Sequence, residues 1–424
     1  MIQCIAWTLG GLFTLALIYY VAIVTTRGDE GDIIVASPPV AADSECFVRS
    51  LEGVTSNPVL AGNECRVFQN GDEIFPPMLE AIDAAMQSVH FTTYIYWTGE
   101  IARKFAKGLA AAARRGAEVR VVLDWFGAHR MDRALLDEMK SAGCDVRFFR
   151  PPRWNELTQL NERLHRRLLI IDGCMGFTGG VGVAAEWTGH AQDGEHWRDV
   201  HARFRGPAVR YLQGAFVDNW TECAGDLLIG DRYFPAIEPA GECRMSVIQS
   251  DPSGGSSNAR RFLAACIQAA KTSIYITNAY FVPTPGFIRE LIEAERRGVD
   301  VKILMPGEKI DRAYVRYASR HTWGELLRGG LELYEYQPAM LHAKTLVVDG
   351  CVSAIGSVNF DPRSFSLNDE CAVVVVDCAL AEEMTRVFHE DIGRAARVDH
   401  DQWRSRGWRA RALDRLAYLS RGQL

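Results

Sequence analysis

Two stretches of this chain carry the same pattern of apolar and polar positions. Val89-His-Phe-Thr-Thr-Tyr-Ile-Tyr96 matches Ile274-Tyr-Ile-Thr-Asn-Ala-Tyr-Phe281, and both read as strands. Helical periodicity precedes each, over residues 74–88 and 260–272. A second helical stretch follows each and ends in Arg114-Arg115-Gly116 or Arg296-Arg297-Gly298. Strands over 118–125 and 299–305 come next. The pattern predicts an α/β fold in which a β-α-β-α-β unit of about 170 residues occurs twice, far too long a period for a solenoid.

The chemistry lies further along each copy. His342-Ala-Lys344-Thr-Leu-Val-Val-Asp349 spaces histidine, lysine and aspartate as H-x-K-x-x-x-x-D, and residues 345–348 read as a buried strand. Residues i and i+2 share a strand face, so His342 and Lys344 are expected to point into one site. An imidazole beside a fixed cation suits attack on a phosphate ester. A second copy, His165-Arg166-Arg167-Leu168-Leu169-Ile170-Ile171-Asp172, begins 177 residues upstream with arginine in place of lysine. Glycines follow alike: Asp172-Gly173 then Gly179-Gly180, and Asp349-Gly350 then Gly356-Ser357.

These duplicated motifs resemble those of the phospholipase D superfamily, and most closely its cardiolipin synthase branch. Gly356-Ser-Val-Asn-Phe-Asp-Pro-Arg-Ser-Phe-Ser-Leu-Asn-Asp-Glu370 is similar to that branch's second-half signature, and Trp197-Arg-Asp199 followed by Gly206-Pro-Ala-Val209 to its first half. The resemblance covers roughly residues 63–420. It implies two similar halves packed about a pseudo-two-fold axis, with both histidines at the seam and no metal or other cofactor. It implies that one histidine, His165 by analogy, attacks phosphorus while the other, His342, moves protons. Lys344 and Arg167 are expected on the phosphoryl oxygens, with Asn359 and Ser357 as further phosphate contacts. Asp199 and Glu370, 34 and 28 residues after the histidines, are implied to hold the imidazoles. Asp172 and Asp349 complete the candidate set, although as strand-ending residues they suit bracing loops better than touching substrate. The first half departs from the family pattern three times: Arg167 for lysine, Gly182 for asparagine, and Thr92 for glutamate.

Composition narrows the setting. With 48% hydrophobic and 24% charged residues, the chain is that of a globular protein. A net charge of −6 argues against nucleic acid as a partner. The 11 cysteines include no C-x-x-C pair, so no zinc site is expected. Residues 2–24 carry no charged side chain and are long enough to span a bilayer. The expected layout is an N-terminal transmembrane anchor at 1–27, a linker at 28–62, a first half at 63–235, a second half at 236–400, and a basic amphipathic tail at 401–424 that rests on the membrane or packs on the second half. Charge flanking the anchor slightly favours a catalytic region on the cytoplasmic side of the cell membrane. Phospholipid, with phosphatidylglycerol foremost, is the expected substrate, and oligomeric state is open. Transfer to a second lipid to give cardiolipin, hydrolysis to phosphatidic acid, nuclease action, and non-catalytic lipid binding are the functions in contention.

Overall fold

A computed structural model of the chain describes residues 39–423 apart from 154–158, 160 and 252–256, with isolated positions before residue 39. The expected anchor at 1–27 lies, but for such positions, outside the described residues. Among those described, no helix is long and apolar enough to cross a membrane.

Among the described residues, one sheet of 16 strands organises the fold. The first half supplies β1 (Leu60–Gln69), β2 (Ser88–Thr93), β3 (Glu118–Asp124), β4 (Asp145–Phe149), a short β5 (Arg163–Leu164), β6 (Leu168–Ile171), β7 (Met175–Gly179) and β8 (Val200–Arg205). The second supplies β9 (Cys243–Ser250), β10 (Ser273–Asn278), β11 (Asp300–Pro306), β12 (Glu332–Tyr336), β13 (Lys344–Val348), β14 (Val352–Gly356), β15 (Asn368–Val376) and β16 (Ala395–Arg397). From the central antiparallel β1–β9 pair, the sheet runs β8-β7-β6-β2-β3-β4 one way and β15-β14-β13-β10-β11-β12 the other, with β16 added at that edge. The order thus repeats strand for strand about its centre.

Local sequence explains the elements. Helix Glu100–Arg114 buries Ile101, Phe105, Leu109 and Ala112 on one face, places Glu100 at its positive end and Arg114 at its negative end, and returns the chain to a β3 parallel to β2. Full burial of Phe105 and Leu109 stabilises this packing by about 2–3 kcal/mol each. Helices cover both sheet faces. Two large apolar clusters each belong mainly to one half. A third runs across the seam, joining Leu164, Leu168 and Ile170 to Val347, Ile355 and Val373.

The expected linker is in part structured. Glu45–Thr55 is a helix capped by the Ser44 side chain, with Phe47, Val48 and Leu51 buried. It packs on helix Asn258–Ala269 of the second half. Its buried positions, Phe47, Val48, Leu51 and Thr55, recur at helical spacing within the segment expected as linker.

Candidate active site

The two motif aspartates close identical hairpins. Asp172 and Asp349 each adopt φ 51°, followed by Gly173 at 66° and Gly350 at 61°, a double left-handed turn closed by the amide of Cys174 or Cys351 donating to Ile171 O or Val348 O. Asp172 accepts hydrogen bonds from the amides of Met86, Gln87 and Ser88, and Asp349 from those of Lys271, Thr272 and Ser273. A five-residue strand separates Asp349 from Lys344 by about 17 Å. Both aspartates therefore sit at the far strand ends, where they brace loops. They are not brought to the site with the other candidates.

The opposite strand ends carry the histidines. His165 and His342 line one cavity of about 320 Å³ between the halves. The short β5 that leads into His165 pairs in parallel with the start of β15, and the His165 amide donates to Asp369 O. In the mirror contact, Leu341 bridges to Arg198 and the His342 amide donates to Arg198 O. Each histidine is thereby docked beside the residue that precedes the other half's carboxylate.

The consequence is a crossed pairing. His165 Nδ1 lies 2.7 Å from Glu370 Oε1, and His342 Nδ1 lies 2.8 Å from Asp199 Oδ2. Asp199 and Glu370 do hold imidazoles, but each holds the one from the other half. A carboxylate partner places the proton on Nδ1 and leaves Nε2 as the lone-pair nitrogen. Arg167 Nη2 stands 3.0 Å from His165 Nε2, and Lys344 Nζ stands 3.1 Å from His342 Nε2. The i, i+2 alternation delivers each cation to its histidine.

Burial and charge set the protonation states. Burial, aided by Arg167, pushes the His165 imidazole down to about 4, and burial with Lys344 pushes His342 down to about 3. Both are neutral near pH 7. Burial also lowers the Lys344 ammonium, to about 7. Burial raises the Asp199 carboxyl, but His342, Lys344 and the Trp187 indole outweigh it and hold it at about 2. Glu370 is likewise held below its usual range against burial, by His165, Ser357 and Ser364. The site presents two unprotonated ring nitrogens, each with a cation beside it, an arrangement suited to a phosphodiester anion.

The groups around the carboxylates were not all foreseen. Ser357 donates to Glu370 instead of facing the cavity as a phosphate contact. Ser364 Oγ adds a second hydrogen bond at 2.7 Å, and Asn368 Nδ2 lies at 3.4 Å. In the first half the Trp187 indole donates to Asp199 Oδ2 at 2.8 Å. Trp187 follows Gly179 by eight residues, as Ser364 follows Gly356. Aligning the two copies would have found that correspondence. Asn359 does line the cavity, and its Oδ1 is buried without a hydrogen-bond partner among the described residues. A Cβ on Gly182 would lie 3.0 Å from Ile95 Cβ and 3.2 Å from Trp187 Cη2, so the indole fills the space of the missing asparagine. Thr92 is buried in β2, with its hydroxyl donating to Val122 O.

Comparison with known proteins matches this architecture. A family profile described as "Cardiolipin synthase, PLD-like domain" matches residues 78–193 and 263–392. The chain is 32% identical over 401 residues to a cardiolipin synthase of Geobacillus kaustophilus, covering 94% of this chain and 80% of the relative. It is also 32% identical over 347 residues to the major cardiolipin synthase of Bacillus subtilis, covering 81% and 72%. Among solved structures, phosphatidylserine synthase of Haemophilus influenzae superposes with a TM-score of 0.64 at 12% identity, covering 88% of this chain and 99% of that one, a likeness of fold.

Proposed function

This chain belongs to the cardiolipin synthase family of phospholipase D-like proteins, and we propose that it is a phosphatidyl transferase that makes cardiolipin and glycerol from two molecules of phosphatidylglycerol. The observation that carries the reading is the pair of buried histidines facing one cavity, each with a carboxylate behind it and a cation beside it.

The two cations differ in a way that assigns roles. Arg167 does not give up its proton, so it leaves the His165 lone pair available for attack. Lys344 titrates near neutrality and can share its proton with His342. In the first step His165 Nε2 bonds to phosphorus, the bond from phosphorus to the glycerol oxygen breaks, and a proton from Lys344 passes through His342 Nε2 to that oxygen. In the second, Lys344 regains its proton through His342 from the acceptor's hydroxyl. Its oxygen bonds to phosphorus and the phosphorus–nitrogen bond breaks. Asp199 and Glu370 hold the rings, while Arg167, Lys344 and Asn359 grip the phosphoryl oxygens.

The reading includes attachment to a membrane through an N-terminal span at 1–27, with the catalytic region on the cytoplasmic side. The tail supports a lipid surface as partner. Helix Trp408–Leu419 turns a polar side inward, where buried Asp414 bonds Arg406 and His321 stacks on Tyr418. It leaves Trp408, Leu413, Leu416 and Leu419 exposed, with Arg409, Arg411 and Arg415 among them. An exposed apolar face flanked by arginines fits an anionic lipid interface.

The deciding experiment gives purified full-length protein labelled phosphatidylglycerol in vesicles, with a chelator present. Cardiolipin and glycerol are expected in equal amounts. Phosphatidic acid as the main product would make the protein a hydrolase, and binding without turnover would leave it a lipid-binding protein.

A further inference from the structure

Arginines besides Arg167 line the catalytic cavity, together with Asp311 and Asp361. Arg163 lines it and is only 5% exposed. Its Nη1 lies 3.5 Å from Asp124 Oδ1, while its Nε and Nη2 are buried with no hydrogen-bond partner among the described residues. Asp124 is a weak partner because its oxygens already accept from the amides of Phe126, Gly127 and Leu164 at 2.9–3.0 Å. Arg363 lines the same cavity, with Nη1 and Nη2 on Asn161 at 2.9 and 2.6 Å. Burial lowers the Arg363 guanidinium, and the charge of Arg163 lowers it further. The hydroxyl of half-buried Tyr94 feels both arginines, and its ring meets His165 edge-on at 5.4 Å.

Leaving buried donors unpaired costs about 1–3 kcal/mol each, and two like charges in one low-dielectric cavity add to that. Such an arrangement is stabilised by an anion that the folded protein binds. The donor phosphate does not fill this role, because it must lie between the two Nε2 atoms, against Arg167 and Lys344. We propose that Arg163 and Arg363 form a second anion subsite, which takes the phosphodiester of the acceptor lipid and presents its hydroxyl to the phosphohistidine. Water and small neutral alcohols gain nothing from this subsite. It is therefore what favours a lipid acceptor over hydrolysis.

The proposal rests on the transferase reading, and its test separates the two. Full-length protein is given vesicles of phosphatidylglycerol together with labelled glycerol. One assay then reports cardiolipin, from an anionic acceptor, and labelled phosphatidylglycerol, from a neutral one. Arg163→Gln and Arg363→Gln should each lower the ratio of cardiolipin to glycerol exchange at least tenfold, and Arg163→Lys should recover part of the loss. If Arg163→Gln does not fold, because Asp124 is left buried without its cation, Arg363→Gln decides. A ratio unchanged in the folded variants, or a parallel fall of both products, overturns the subsite alone. A wild-type protein that exchanges glycerol but forms no cardiolipin overturns the reading that it makes cardiolipin, and the subsite with it.

Discussion

The two halves hold their carboxylates by different means. In the second half, Ser357 and Ser364 hydrogen-bond Glu370, and the neighbouring Asn359 and Asp361 face the cavity. At the aligned first-half positions stand Gly180, Trp187, Gly182 and Ala184. Asp199 is fixed instead by the indole of Trp187 and close packing: a Cβ on Gly180 would lie 2.0 Å from Asp199 Oδ1. His342, which Asp199 serves, is enclosed by Trp187 and Trp197 at ring distances of 5.1 and 5.4 Å. A fixed carboxylate is what both imidazoles need: two serine hydroxyls hold it in the second half, and an indole, the Val200 amide and close packing hold it in the first. At these positions only the second half turns polar side chains, Asn359 and Asp361, toward the cavity.

The largest effects should show that neither half suffices. His165→Ala and His342→Ala should each lower turnover by roughly a thousandfold or more, because attack and proton transfer belong to one cycle. Near-normal activity in either variant removes the two-histidine mechanism.

Removing the carboxylate charge tests the crossing. Glu370→Gln and Asp199→Asn should each cost on the order of a hundredfold, through a lost tautomer and orientation. Rapid-quench measurement of phosphoenzyme should show Glu370→Gln slowing its formation, the step of His165. Asp199→Asn should share the step profile of His342→Ala. If Asp199→Asn instead matches the His165 variant, the pairing runs within each half.

The cations should differ in their response to pH. Lys344 must enter the cycle protonated, and burial has lowered its pKa, so that proton is lost as pH rises through about 7. Wild-type kcat/KM should fall above that pH, and Lys344→Arg should move the alkaline limb upward. The same shift means that folding disfavours the ammonium: stability falls as pH drops from the ordinary lysine value towards about 7. Lys344→Met should therefore raise Tm at neutral pH while abolishing turnover. Across the site, Arg167→Lys should stay within about tenfold of wild type and Arg167→Ala should lose roughly a hundredfold, measured at saturating and limiting substrate. Equality of both variants with wild type would make Arg167 a structural residue.

The smallest effect concerns the missing asparagine. Gly182→Asn restores the family residue but drives it into Ile95 and Trp187. Thermal unfolding should show a loss of about 1–3 kcal/mol, with no gain in turnover. A gain in turnover would show that Trp187 yields and that the halves are interchangeable.

The range of sequence separation explains what was legible. The histidines, their cations, the Asp-Gly hairpins and the flanking strands lie within short runs that occur twice, and periodicity with repetition exposes such features. The exchange of carboxylates joins residues 205 and 143 positions apart through the β5–β15 contact and its mirror. No local pattern encodes that. Family resemblance named Asp199 and Glu370 but not their partners. Arg163 and Arg363 look like ordinary surface arginines until the fold buries the first and half-buries the second in the cavity that Tyr94 also lines.

The exchanged carboxylates tie catalysis to alignment of the two halves as rigid bodies. A separation of about 1 Å takes both Nδ1 contacts beyond hydrogen-bonding distance together, while each half keeps its own cluster of apolar side chains. Under rising denaturant, enzyme activity should vanish in one step ahead of any change in helix content. No half-active species should accumulate on the way, because the same slip unlatches both imidazoles.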